Sequence, residues 1–258
     1  MGIKNKRFRQ KSQSLKGFTL VELSIVLVII GLIVSSVLVG QDLVKSATIR
    51  NVISQRESFD SAIHTFRGKY SVLPGDGKTV AYNSSLLCSG NSDGLLSVGS
   101  TATGAATNST ANNTTANVPA TSIADSACFW SVLSQNGAGY IAGSFTGLQG
   151  SSANIASMEP VSKYGSSYWG VYSNTGTSSN FYILGSVYSA TFIQGASAAI
   201  DFTSAIGIDT KVDDGLANGG SVQGFATLAT SPDGNVTNGG LTYTAGTLYA
   251  IRFKMQSM

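Results

Sequence analysis

The sequence predicts an α+β chain in which a long N-terminal helix, membrane-spanning in its first half, carries a strand-rich head. Three observations predict it. Apolar residues run almost unbroken from Phe18 to Val39 and then continue at helical spacing, with no proline before Pro74. A Pro-Gly-Asp-Gly turn signal at 74–77 ends that pattern. Beyond it lie short aromatic and β-branched runs, among them Ser167–Tyr172 and Phe181–Gly185.

The chain opens on a polar segment, 1–17, holding six basic residues (Lys4, Lys6, Arg7, Arg9, Lys11 and Lys16) and no acid. It lacks the apolar centre of an ordinary secretory signal peptide. The formal net charge of +3 comes from this segment. Removing its six cations from the sixteen leaves ten against thirteen acids, so the remainder carries about −3. The basic pI therefore gives no reason to expect a nucleic-acid partner.

From Phe18 to Val39 a helix would cover about 33 Å, against a hydrocarbon thickness of about 30 Å. The cations preceding the span place the leader in the cytoplasm and the rest across the membrane. Within the span Glu22 is the exception. A carboxylate at the bilayer centre costs on the order of 3 kcal/mol, and less near an interface, where the positive end of the helix dipole also helps. Taken alone, Glu22 reads equally as an interfacial acid tolerated by its position or as a functional group.

Residues 17–33, Gly-Phe-Thr-Leu-Val-Glu-Leu-Ser-Ile-Val-Leu-Val-Ile-Ile-Gly-Leu-Ile behind a short basic leader, resemble the prepilin motif of type IV pilins and type II secretion pseudopilins. The resemblance implies cleavage by a prepilin peptidase between Gly17 and Phe18 and methylation of the new Phe18 amine. It implies an α+β pilin-like fold, the long helix packed on an antiparallel β-sheet head. It also implies partners: other pilin subunits, the peptidase, an inner-membrane assembly platform and membrane lipid. Localisation would be the bacterial inner membrane, single-pass, with a periplasmic head, and then a filament. Glu22 of one subunit would meet the Phe18 amine of a neighbour, a pairing that sets register more than it adds stability. Val39 stands near where many major pilins carry a helix-kinking proline.

The organisation expected is a cleaved leader at 1–17, an assembly helix at 18–39, an amphipathic continuation at 40–67 and a head at 68–258. Leu43, Val44, Ala47, Val52, Ile53, Phe59, Ala62, Ile63 and Phe66 mark the apolar stripe of the continuation. The Tyr70…Leu73-Pro74-Gly75-Asp76 passage resembles the helix exit of some pilin-like proteins, and reads equally as an ordinary turn. Residues 97–122, rich in Ser, Thr, Ala, Asn and Gly, have too little apolar surface to offset ordering entropy and read as a mobile surface loop. The Asn-x-Ser/Thr triplets at Asn83, Asn108, Asn113 and Asn235 read as a reflection of composition, with glycosylation of the loop as the alternative. Ala124–Leu133 reads as a short amphipathic helix with Phe129, Trp130 and Leu133 in the core, and Leu241–Phe253, interrupted by Gly246, as a hairpin or two strands.

Cys88 and Cys128 both follow the membrane segment. An even count in an exported domain suggests a disulfide, and two buried thiols are the alternative. Asp209, Asp213 and Asp214 offer oxygens to calcium, the one candidate cofactor, without the spacing of an EF-hand. A helix C-terminus capped by Gly215 among solvated acids explains the same residues. A single histidine, His64, in a helical stretch, and the lack of a phosphate loop or metal triad argue against an enzyme. Two roles remain: a polymerising structural subunit of a pilus or secretion pseudopilus, or a tip-located or anchored binding module such as a minor pilin or adhesin.

Overall fold

A computed structural model describes residues 17–76, 92–96, 125–134, 138–145, 156–165, 167–174, 178–186, 198–225 and 242–255. The leader before Gly17, the expected loop at 97–122, Cys88, Asn83, Asn108, Asn113 and Asn235 lie outside them. The chain divides into two compact units, Met1–Val44 and Lys45–Met258.

The first helix, α1, runs Leu20–Tyr70. It starts two residues later than the apolar run suggests and ends three beyond Arg67. It passes Val39 without a break, consistent with the missing proline. In the first unit its large apolar side chains are exposed: Leu27, Val28 and Leu32 are each more than half accessible.

In the second unit the same helix turns amphipathic. Ile49, Val52, Phe59, Ala62, Ile63 and Phe66 form one buried stripe at three-, four- and seven-residue spacing. Phe59 lies among three aromatic rings, with centroids at 4.8 Å (Trp130), 5.7 Å (Trp169) and 6.4 Å (Tyr182). Burying each such side chain is worth roughly 1.5–3 kcal/mol, and edge-to-face ring contacts add about 0.5–1.5 kcal/mol. Polar residues beside the stripe fix its azimuth. Gln55 donates to the Val161 carbonyl (2.9 Å), and its Oε1 accepts from Lys163 N and Trp169 Nε1, both at 3.0 Å. Tyr182 OH donates to Asp60, which also pairs with Arg56 at 3.2 Å.

The head's sheet has five antiparallel strands, β1 (Tyr168–Asn174), β2 (Ser179–Gly185), β3 (Ile200–Asp201), β4 (Val222–Phe225) and β5 (Leu248–Lys254), in the order β1-β2-β5-β3 with β4 also on β5. β5 organises it: Phe253 is opposite Tyr182 of β2 and Val222 of β4, while Tyr249 is opposite Ile200. The pleat sends alternate residues to two buried clusters. Trp169, Val171, Tyr182, Leu184, Ile251 and Phe253 join the α1 stripe. Tyr172, Phe181, Ile183, Phe225 and Ala250 form a second cluster on the other face. Arg252 stacks there on Phe181, its guanidinium carbon 4.9 Å from the ring centroid, and donates to Tyr172 and Gln223.

Helix α2 (Asp125–Leu133) delivers Phe129, Trp130 and Leu133 to the main core, as their pattern predicts. Helix α3 (Phe202–Val212) starts at Asp201, whose carboxylate accepts from Ser204 N as an N-cap. It crosses α1 at a glycine: a Cβ on Gly207 would lie 2.9 Å from Ile49 Cδ1.

The expected hairpin over Leu241–Phe253 is not formed. Among the described residues only β5 is a strand there, and 242–247 are turn and irregular. Tyr249 OH accepts from Thr244 N at 2.6 Å and the Tyr243 and Tyr249 rings pack edge-on at 4.9 Å. The segment thus curls back on β5's own first residues, while β2, β3 and β4 supply its strand partners.

Candidate functional site

Gly17, Phe18 and Thr19 precede α1 in non-helical backbone, and the Phe18 side chain is 89% exposed. A Cβ built on Gly17 would meet nothing within 4 Å, and its φ is not in the left-handed range. Nothing in the described structure requires glycine at that position.

The turn that follows is a capping box, whose signal in the sequence is Thr-Leu-Val-Glu at 19–22. Glu22 N donates to Thr19 Oγ1 (3.2 Å), while Thr19 N and Oγ1 donate to Glu22 Oε2 at 2.8 and 2.9 Å. Thr19 is the N-cap and Glu22 the third residue of the helix. This explains why α1 begins at Leu20. It also gives the Glu22 carboxylate local donors, which lowers the cost of carrying it in an apolar segment.

These residues head a helix long and apolar enough to cross a membrane, and none of its most apolar window is buried in the protein. Residues 14–38 match the family model described as the prokaryotic N-terminal methylation motif. The chain carries the type IV pilin signature. The signature covers the end of the leader, Gly17, Phe18, the capping box and the first part of α1. The α+β architecture downstream, a long helix and an antiparallel five-stranded head, is pilin-like. No curated protein and no solved structure matches the chain.

Within the head, Cys128 is fully buried in the core. Its expected partner Cys88 is outside the described residues.

Asp209, Asp213 and Asp214 converge at the end of α3, each bringing one oxygen within 4.8 Å of the others. They are not uniformly solvated acids. Asp209 is fully buried, and its carboxylate accepts from Tyr243 OH (2.7 Å) and Gly215 N (3.2 Å). The exposed Asp213 is the C-cap of α3, and its Oδ2 takes the amides of Ser221 and Val222. Asp214 accepts from Leu216 N at 2.8 Å. Gly215, with φ 78°, lies two residues beyond the cap rather than at the cap itself. Gly220 is obligatory here, because a Cβ would lie on the Asp213 carboxylate and φ is 62°. Three carboxylates are the hard-oxygen donors calcium takes, but a full shell needs six to eight oxygens. The other sequence-highlighted polar residue, His64, is exposed on α1.

Asp76 belongs to the turn that follows α1. It is buried, and Oδ1 and Oδ2 accept from Ser92 N (2.9 Å) and Gly94 N (2.8 Å), tying the helix exit to residues 92–96. Burial pushes its carboxyl above the usual carboxylate range against those bonds.

Burial raises the Asp209 carboxyl to about 6, with the Asp214 and Asp213 charges adding to it and the bonds from Tyr243 and Gly215 opposing it. The folded value exceeds the unfolded one, so the neutral form's stabilisation is complete below about pH 4 and is lost as pH rises through about 6. Melting curves of the detergent-solubilised full-length chain between pH 4 and 7 test this. Asp209→Asn, which stays neutral, should gain on the wild type as pH rises across that window. A wild-type-to-variant difference that is flat with pH contradicts it.

Proposed function

We propose that this chain is the precursor of a structural subunit of a type IV pilus or a type II secretion pseudopilus. A prepilin peptidase cuts between Gly17 and Phe18, the Phe18 amine is methylated, and the subunit polymerises through its N-terminal helix while the head is held in the periplasm. The observation that carries this reading is the methylation motif at 14–38. Supporting it are the non-helical backbone at the bond to be cut, a glycine at 17 that no packing among the described residues explains, and an apolar helix surface left exposed. In this reading the protein's partners are its own kind, the peptidase, the membrane and an assembly platform, and it is no enzyme. A Cys88–Cys128 disulfide in the head belongs to the same reading, since the periplasm is oxidising.

Glu22 then has two successive jobs. Before assembly it accepts from Thr19; in the filament it meets the Phe18 amine of a neighbouring subunit. A buried carboxylate in that core is tolerated only when paired, so the contact selects one axial register.

We also keep calcium as the candidate ligand of Asp209, Asp213 and Asp214. Added calcium should then raise the melting temperature at pH 7 in the wild type and not in Asp213→Asn, and an unchanged wild type removes the metal.

The two jobs of Glu22 separate in one substitution. Glutamine serves as well as glutamate at the third position of a capping box, but carries no charge. The Glu22→Gln precursor is therefore expected to insert and be cleaved like the wild type, yet to leave few or no filaments in a sheared surface fraction. Wild-type filament yield from Glu22→Gln would refute the charge-pairing role while leaving the processing step standing.

A further inference from the structure

A cavity of about 420 Å³ opens in the head where the last turn of α1, the 73–76 turn, residues 92–94, the start of β2 and the end of β5 meet. Small-molecule sites run from roughly 300 to 1,000 Å³. Backbone strain is concentrated at this cavity. Among the described residues three non-glycines have positive φ, Ser71 (59°), Ser92 (60°) and Ser178 (48°), and all three line it. Such conformations cost on the order of 1–3 kcal/mol each and cluster at ligand clamps. Glycine would adopt them freely; serine adds a hydroxyl.

The polar groups of the lining divide into those the fold uses, Arg67 and Ser179 among them, and those it does not. Asp76 gives both oxygens to backbone amides, and Asp93 accepts from Leu95 N. Asn180 accepts from Leu96 N and donates to the Gly94 carbonyl. In contrast, the Lys254 ammonium and the hydroxyls of Ser71 and Ser178 have no hydrogen-bond or ion-pair partner among the described residues. Ile63 and Met255 supply apolar wall.

We propose that this cavity binds a small hydroxylated carboxylic acid of the sugar-acid class, its carboxylate on Lys254 and its hydroxyls on Ser71 and Ser178. Among the lining groups left without a partner, the exposed Lys254 ammonium makes the strongest contact, a charge-assisted bond to a carboxylate. With Asp76 and Asp93 in the same lining and Arg67 already engaged, Lys254 balances the single charge of a carboxylate better than the multiple charge of a phosphate. A neutral sugar leaves Lys254 unused, and a flat apolar ligand finds no aromatic ring among the lining residues. The site lies wholly in the head and does not depend on polymerisation.

Calorimetric titration of the detergent-solubilised full-length protein with D-glucuronate tests this, with D-glucose and acetate as comparators. Saturable glucuronate binding is expected, about tenfold or more tighter than either comparator. Lys254→Gln should weaken it about tenfold, equivalent to roughly 1.4 kcal/mol, without moving the unliganded melting temperature. Ser178→Gly, which keeps the backbone conformation and removes the hydroxyl, should also weaken it. Absence of saturable binding, equal affinity for glucose, or unchanged affinity in Lys254→Gln would each overturn the proposal.

Discussion

One helix with two kinds of apolar surface is the constraint on which the rest of this structure depends. Up to Val44 the large apolar residues of α1 are exposed; from Ile49 the apolar residues narrow to a stripe that the head covers. The backbone satisfies itself throughout, which is the condition for placing apolar helix in lipid or in a filament core. The start must be satisfied too, and the Thr19–Glu22 box does so with a carboxylate that lies within the matched motif. The structural cap and the proposed assembly contact thereby fall on one residue.

The head is built around the covered stripe. Phe59 meets Trp130 and Trp169, and Gln55 holds the residues leading into β1. β5 then joins β2, β3 and β4, so the last strand of the chain closes the sheet. The sheet's second face buries its own smaller cluster, with Arg252 stacked at its margin.

What was legible in the sequence is what depends on local pattern. The apolar run, its amphipathic continuation, the Pro-Gly-Asp turn and the aromatic strands β1 and β2 each carry a period or a turn residue, and each is present. The turn shows the expected chemistry: Asp76 N donates to the Leu73 carbonyl, with Gly75 at φ 88°. The start of α1 was equally available in Thr-Leu-Val-Glu, but the apolar period drew the boundary to Phe18. Features set by distant residues were not legible. Two-residue β3 has no pattern, and β4 is recognisable only through its pairing with β5. The hairpin expected at 241–253 failed because Tyr243 reaches Asp209 and the chain folds over Tyr249. Asp209, buried beside two other acids, likewise takes its hydroxyl partner from Tyr243, thirty-four residues away. At the candidate site the methylation motif is contiguous and legible, whereas the cavity beside Lys254 is assembled from four separate segments and leaves no trace in any one of them.

The central claim is that a cut after Gly17 turns a membrane-anchored precursor into an assembling subunit. Mass spectrometry of the N-terminus of the protein from its native cell, with and without the prepilin peptidase, measures it most directly. The account predicts a chain beginning at N-methylated Phe18, absent from the peptidase-deficient strain. A chain that begins at Met1 or Gly2 in both strains would contradict it and leave a plain membrane-anchored protein.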